Sequence, residues 1–216
     1  MKSLLLSGTL ALLCGCQDTL FETQPGAAIS TCDEHFIGSW RLLPADPSSS
    51  NDELFVIVEP GCKRWRFIED GKDDAETEKT VHVAFAHVGD LQLMTVKNDE
   101  KHAANDADGR WRDGYLYLRY EFADDTIRLH RVDDKRVAHW IVDGAIKGRT
   151  ETITQSPGST RHEGDLHNFV AGDAAEMARV ALLAGIFQAN GYYTLKPATT
   201  AEIFKPATNS PANAKP

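Results

Sequence analysis

Between Phe36 and Val132 the chain repeats one device: short runs of alternating or β-branched apolar residues, each cut off by a turn signal. No other feature constrains the fold as tightly. Successive side chains of a strand point to opposite faces, so period-two runs mark half-buried strands. Residues 36–43 open the series. Residues 53–59 carry Leu54, Phe55, Val56, Ile57 and Val58 and stop at Pro60-Gly61. Residues 62–69 put Trp65 and Phe67 on one face and Arg64 and Arg66 on the other. After a charged turn over 70–79, Val81, Val83 and Phe85 alternate up to the turn at Gly89-Asp90, and Leu91, Leu93 and Thr95 follow. Residues 115–122 alternate again, Asp124-Asp125 turns the chain, and 126–132 form another strand. This spacing predicts a mainly β fold, an antiparallel meander that curls into a barrel or a strongly curved sheet.

Helical spacing arrives late. Asp133 or Asp134 is placed to cap a short helix that runs to Val142 and ends at Gly144. Asp173, three residues before Glu176, resembles the start of a capping box. Met177, Val180, Ala181, Ala184 and Phe187 then recur on one face up to Asn190-Gly191, which predicts a C-terminal helix. Residues 147–154 and 192–196 read as further strands.

The first residues carry a different signal. Lys2 precedes an apolar stretch of about ten residues, the length of the hydrophobic part of an export signal. A spanning helix needs about 20. The stretch ends in Leu13-Cys14-Gly15-Cys16, which resembles the bacterial lipobox. The resemblance implies that residues 1–15 are a cleaved signal and that the Cys16 thiol accepts a diacylglycerol. Palmitate and related acyl chains, at about 0.8 kcal/mol per buried CH₂, would then hold the chain at an envelope membrane. Gln17 stands where the enteric sorting pattern places an Asp for inner-membrane retention, so the outer membrane, facing the periplasm, is the expected location. Residues 16–31 are polar and Gly/Pro-bearing and read as a flexible tether. Residues 199–216, with Pro206, Pro211 and Pro216, read as a disordered tail. The folded domain is expected over 32–198.

A formal net charge of −9 argues against a nucleic-acid partner, because phosphate contacts need clustered Lys and Arg. Of the four Cys, Cys14 would leave with the signal and Cys16 would carry lipid. Cys32 and Cys62 remain, and in an oxidising compartment they are expected to pair. The bond would close a loop of about 30 residues and contribute about 3 kcal/mol. Two free thiols are the alternative.

Gly38-Ser39-Trp40 at the start of the first predicted strand resembles the Gly-x-Trp motif that opens lipocalin barrels. In that family the Gly permits close backbone packing and the Trp plugs the closed end. A wider likeness runs through residues 36–42, Tyr115-Leu116-Tyr117-Leu118-Arg119-Tyr120, Ile127-Arg128-Leu129 and Val170-Ala171-Gly172-Asp173. Together these resemble small proteobacterial lipocalin-like lipoproteins. The resemblance implies a fold and brings no catalytic residues. The later lipocalin motifs are missing.

Chemistry is sparse. The eight His form no recognised site, and His162 and His167 lack a diagnostic metal spacing. Acidic runs at 70–74 and 105–109 lack the alternating ligands and closing Glu of a calcium loop. No nucleophile elbow, phosphate loop or His-Glu-x-x-His motif is present. We therefore expect no cofactor, no metal and no catalysis, with a hydrolase built from dispersed residues as the remote alternative. Trp40, Tyr115, Tyr117 and Arg119 are the candidate ligand-binding residues. Tyr115, Tyr117 and Arg119 share one strand face, opposite Leu116, Leu118, Tyr120 and Phe122. If the Tyr/Arg face points inward, it lines a cavity with one cation, suited to an acidic amphiphile. If the Leu face points inward, it fills a core. Two functions follow: a lipid-anchored, non-enzymatic envelope protein that binds a small amphiphile or lies under a partner protein, or an inhibitor or immunity protein whose acidic charge steers it to a basic lytic enzyme.

Overall fold

A computed structural model describes residues 18–26, 29–45, 53–69, 72–73, 82–97, 114–152 and 166–204. Residues 1–17, which include Cys16 and the expected export signal, the acidic run at 105–109, His162 and the residues beyond Phe204 lie outside the described residues.

The chain forms one mainly β sheet, strongly curled, with few helices. Its strands are β1 (Asp18–Phe21), β2 (Ile29–Ser30), β3 (Gly38–Pro44), β4 (Leu54–Val58), β5 (Trp65–Glu69), β6 (Lys72–Asp73), β7 (Val83–Val88), β8 (Leu91–Lys97), β9 (Tyr115–Ala123), β10 (Thr126–Arg131), β11 (Gly148–Thr152), β12 (Leu166–Val170) and β13 (Tyr193–Pro197). The curl follows the order β6-β5-β4-β3-β13-β10-β9-β8-β7-β2, antiparallel throughout. Among the described residues no pairing joins the β5–β6 edge to the β7–β2 edge, so the sheet makes a half-barrel and leaves one side unclosed.

Alternation sorts the side chains. Leu42, Val56, Trp65, Phe85, Met94, Leu118, Tyr120 and Leu195 point into the curl and form the main core. The outer face is covered in two places. Helices α1 (Asp134–Val142) and α2 (Ala174–Ala181), with β1 and β12, lie over β7–β9 and bury Leu93, Tyr117, Val137, Met177 and Val180. Farther round, helix α3 (Thr200–Ile203) sets Ile203 on Phe55 and Ile68 of β4 and β5.

The helix starts obey the sequence. The Asp133 side chain accepts from Arg136 N and that of Asp173 from Glu176 N, each satisfying an end amide that has no partner within the helix. Gly144, with φ +72°, closes the turn after α1 in the left-handed region that favours glycine.

Three expectations are corrected. The flexible tether over 16–31 contains β1, which pairs in parallel with β12, and its Leu20 and Phe21 are buried. The disordered tail over 199–216 begins with α3, held by a full capping box between Thr199 and Glu202. The C-terminal helix stops at Ala181 and does not reach Asn190. It stops because Ile186 is buried in the outer cluster and Phe187 bridges Val132, which a continuous helix could not provide. Gly185 turns the chain there at φ +82°, and the Arg136 guanidinium occupies the space a β-carbon would need.

The docking of α3 is testable. Ile203 is 1 % exposed and covers two apolar residues on an otherwise outward-facing surface. Ile203→Ala should lower stability by about 2 kcal/mol, the low end for such truncations, because a terminal helix can settle into part of the gap. Urea unfolding would measure it, and an unchanged midpoint would show that the contact is not maintained in solution.

Candidate ligand site inside the curled sheet

The interior of the curl is apolar and nearly full. A cavity of about 30 Å³ remains, lined by side chains that include Phe36, Trp65, Phe67, Val83, Met94 and Leu129. That is room for about one water or one methyl group. Phe67 on β5 and Val83 on β7 are only half-buried, and they flank the side where the sheet does not close. Trp65 is buried, and its Nε1 has no hydrogen-bond partner among the described residues. A buried indole N–H without an acceptor is costly and uncommon.

One end of the curl is stoppered by Phe36. It sits on a single helical turn, Glu34–Phe36, and is fully buried. Its ring stands 5.0 Å from Phe85, 5.1 Å from Tyr120 and 5.8 Å from Trp65. A disulfide between Cys32 and Cys62 ties this turn to the chain entering β5. Polar contacts frame it. The Tyr120 hydroxyl donates to Asp33 Oδ2 at 2.7 Å, and Asp33 Oδ1 accepts from His35 N at 3.1 Å and meets His35 Nδ1 at 2.7 Å. Burial pushes the Asp33 carboxyl upward, but the hydrogen bonds from Tyr120 and His35 outweigh it and leave the pKa below the ordinary value. Tyr120 is raised, by burial first and by the Asp33 carboxylate second.

The candidate residues divide between the two faces. Trp40 packs against the inner core, with its Nε1 donating to the Phe36 carbonyl at 2.7 Å. Gly38 has φ +140°, and a β-carbon there would meet only Trp40 Nε1 at 3.8 Å. Its requirement is therefore backbone conformation, where the family likeness implied close packing. Tyr115, Tyr117 and Arg119 point outward, so the Leu face of β9 supplies the interior. The outward set is largely covered. Tyr117 is buried under β1, stacked on Phe21 at 3.9 Å, and its hydroxyl donates to the Thr23 carbonyl. Burial holds its hydroxyl well above the usual tyrosine range. Arg119 Nη2 lies 3.8 Å from Glu121, whose other oxygen is 3.2 Å from His130 Nε2 and 3.7 Å from Arg128. Trp40 and the Tyr/Arg set are thus on opposite sides of one sheet and cannot line one pocket.

The sequence singles out Trp65, together with Trp40, as an aromatic of interest, and its alternation with Phe67 is the signal. That Phe36 stoppers this end and that the interior is incomplete there is visible only in the structure. The chain matches no protein-family model, no curated protein and no solved structure.

Proposed function

We propose that the chain is a lipid-anchored, non-enzymatic protein of the bacterial envelope whose curled sheet takes the apolar part of a small amphiphile. The supporting observation is the apolar interior beside the unclosed edge, together with a buried Trp65 indole N–H that has no hydrogen-bond partner among the described residues. An acyl chain would enter between β5 and β7 by displacing Phe67 and Val83, and a carbonyl or carboxyl oxygen would accept from Trp65. Such an entry exchanges a nearly filled core for ligand contacts, so the bound state requires the edge to part. The membrane attachment rests on the Leu13-Cys14-Gly15-Cys16 motif, with the outer membrane favoured by Gln17.

Two measurements test the reading separately. The parent should incorporate labelled palmitate and Cys16→Ser should not; equal labelling of both, or of neither, removes the anchor. The Cys16→Ser chain, exported behind an ordinary secretory signal so that the disulfide forms, should bind lysophospholipid or fatty acid. Trp65→Phe should weaken that binding about fivefold, the worth of one hydrogen bond near 1 kcal/mol. A chain that purifies empty on native mass spectrometry and takes up neither probe would exclude the amphiphile. Salt-sensitive capture of a basic lytic enzyme would favour an inhibitor instead.

A further inference from the structure

The structure places the first strand close to the lipidation motif. β1 begins at Asp18, so Gln17 alone separates it from Cys16. Two residue steps span at most about 7 Å of extended chain. β1 is also firmly held. It pairs in parallel with β12 from Asp18↔His167 to Phe21↔Val170, and Thr19 Oγ1 donates to Asp134 Oδ1 at 2.7 Å. Resting on the lipidation of Cys16 proposed above, we infer that the protein has no free tether and docks on the bilayer headgroups by one defined pole.

That pole is fixed by register. The starts of β1 and β12 lie side by side, and Thr152 at the end of β11 pairs with Leu166. Helix α1 begins there too, since Asp134 contacts Thr19 and Asn168, while Ile141 near the helix end lies against Gly148. The first turn of α1 exposes Lys135, a cation suited to phosphate headgroups; its neighbour Arg136 lies 3.8 Å from Asp133 and packs against Gly185. Thr152 is exposed at this pole. Ala145, in the turn after α1, is exposed at the opposite one. Gly148 and Thr152 are already separated by about 13 Å along β11 at 3.3 Å per residue.

The test uses the full chain, lipidated in a bacterial host and reconstituted into phosphatidylcholine–phosphatidylglycerol vesicles. Thr152→Cys and Ala145→Cys each add one free thiol for a fluorophore, because Cys32 and Cys62 are bonded and Cys16 would carry the lipid. Quenching by headgroup spin-labelled lipid should be several-fold stronger at position 152 than at 145. Twelve Gly/Ser residues inserted between Gln17 and Asp18 should erase that difference while the protein still floats with the vesicles. Equal quenching at both positions in vesicle-bound, palmitate-labelled protein overturns the docked pole and leaves the anchor standing. Protein that takes up no palmitate and stays off the vesicles overturns both.

Discussion

Asp134→Ala should lower the unfolding free energy by about 3 kcal/mol, read as a lower urea midpoint at unchanged slope. Asp134 is 3 % exposed and sits in the first turn of α1. Its Oδ1 accepts from Thr19, its Oδ2 takes the Arg131 guanidinium, and its carbonyl accepts from Asn168 Nδ2 at 2.9 Å. Asn168, fully buried, donates also to Thr19 Oγ1 at 3.0 Å and accepts from Thr150 at 2.7 Å. The network therefore joins β1, β11, β12 and α1. Removing the carboxylate leaves the Thr19 hydroxyl without its acceptor and takes one partner from Arg131, which also lies over the Tyr192 ring, and breaking a buried pair costs about 3–5 kcal/mol. Arg131 keeps 20 % side-chain exposure and can reach water, which holds the cost to the low end. A loss below about 1 kcal/mol would mean that the network contributes little.

The same carboxyl gives a pH signature. Burial raises the Asp134 pKa above 3.8, with Arg131 and Thr19 opposing but not cancelling the shift. The folded state then binds this proton more readily than the unfolded chain does. The contribution of the group is fully present below about 3.8 and is lost as pH rises through the folded value. Asp33 acts in the opposite sense: its stabilisation is present above 3.8 and is lost as pH falls through its depressed value. Urea titrations across pH should therefore lose their decline above 3.8 in Asp134→Asn and their decline below 3.8 in Asp33→Asn.

Loss of the disulfide should cost about as much. Cys32 and Cys62 are 30 residues apart, and opening a loop of that length gives the unfolded chain about 3–4 kcal/mol of added entropy. For a domain of this size the melting temperature should fall by about 10 °C in Cys32→Ser/Cys62→Ser. The effect should also be local. The bond holds the turn that seats Phe36 among Trp65, Phe85 and Tyr120, so its removal should loosen that stopper first. Trp65 is buried in the parent and its emission should shift to the red on reduction, ahead of global unfolding. Identical melting of oxidised and reduced protein would show that packing alone holds the turn.

The Phe36 ring borders the cavity and touches the Trp65 ring, so reduction of the disulfide should make the interior open more readily. Ligand binding measured before and after reduction would show that dependence as a change in association rate.

The sequence by itself determined what short-range chemistry specifies. Alternation and apolar runs marked the longer strands of the curl though not the two-residue β2 and β6. Asp133 or Asp134 and Asp173 marked the starts of α1 and α2 though nothing marked α3, and the cysteine count pointed to Cys32–Cys62. The tertiary structure alone decided how distant segments meet. The strand at Asp18–Phe21 has too few residues to show a period, and its partner β12 lies about 150 positions away, so only the assembled outer layer reveals that Phe21 is core. Ile203 looked like part of a polar tail because the apolar patch it covers belongs to β4 and β5. Both faces of β9 carry large aromatic rings, and alternation by itself does not say which is inside. The curl sends Leu118 and Tyr120 inward, and β1 with the helices claims Tyr117 on the other side.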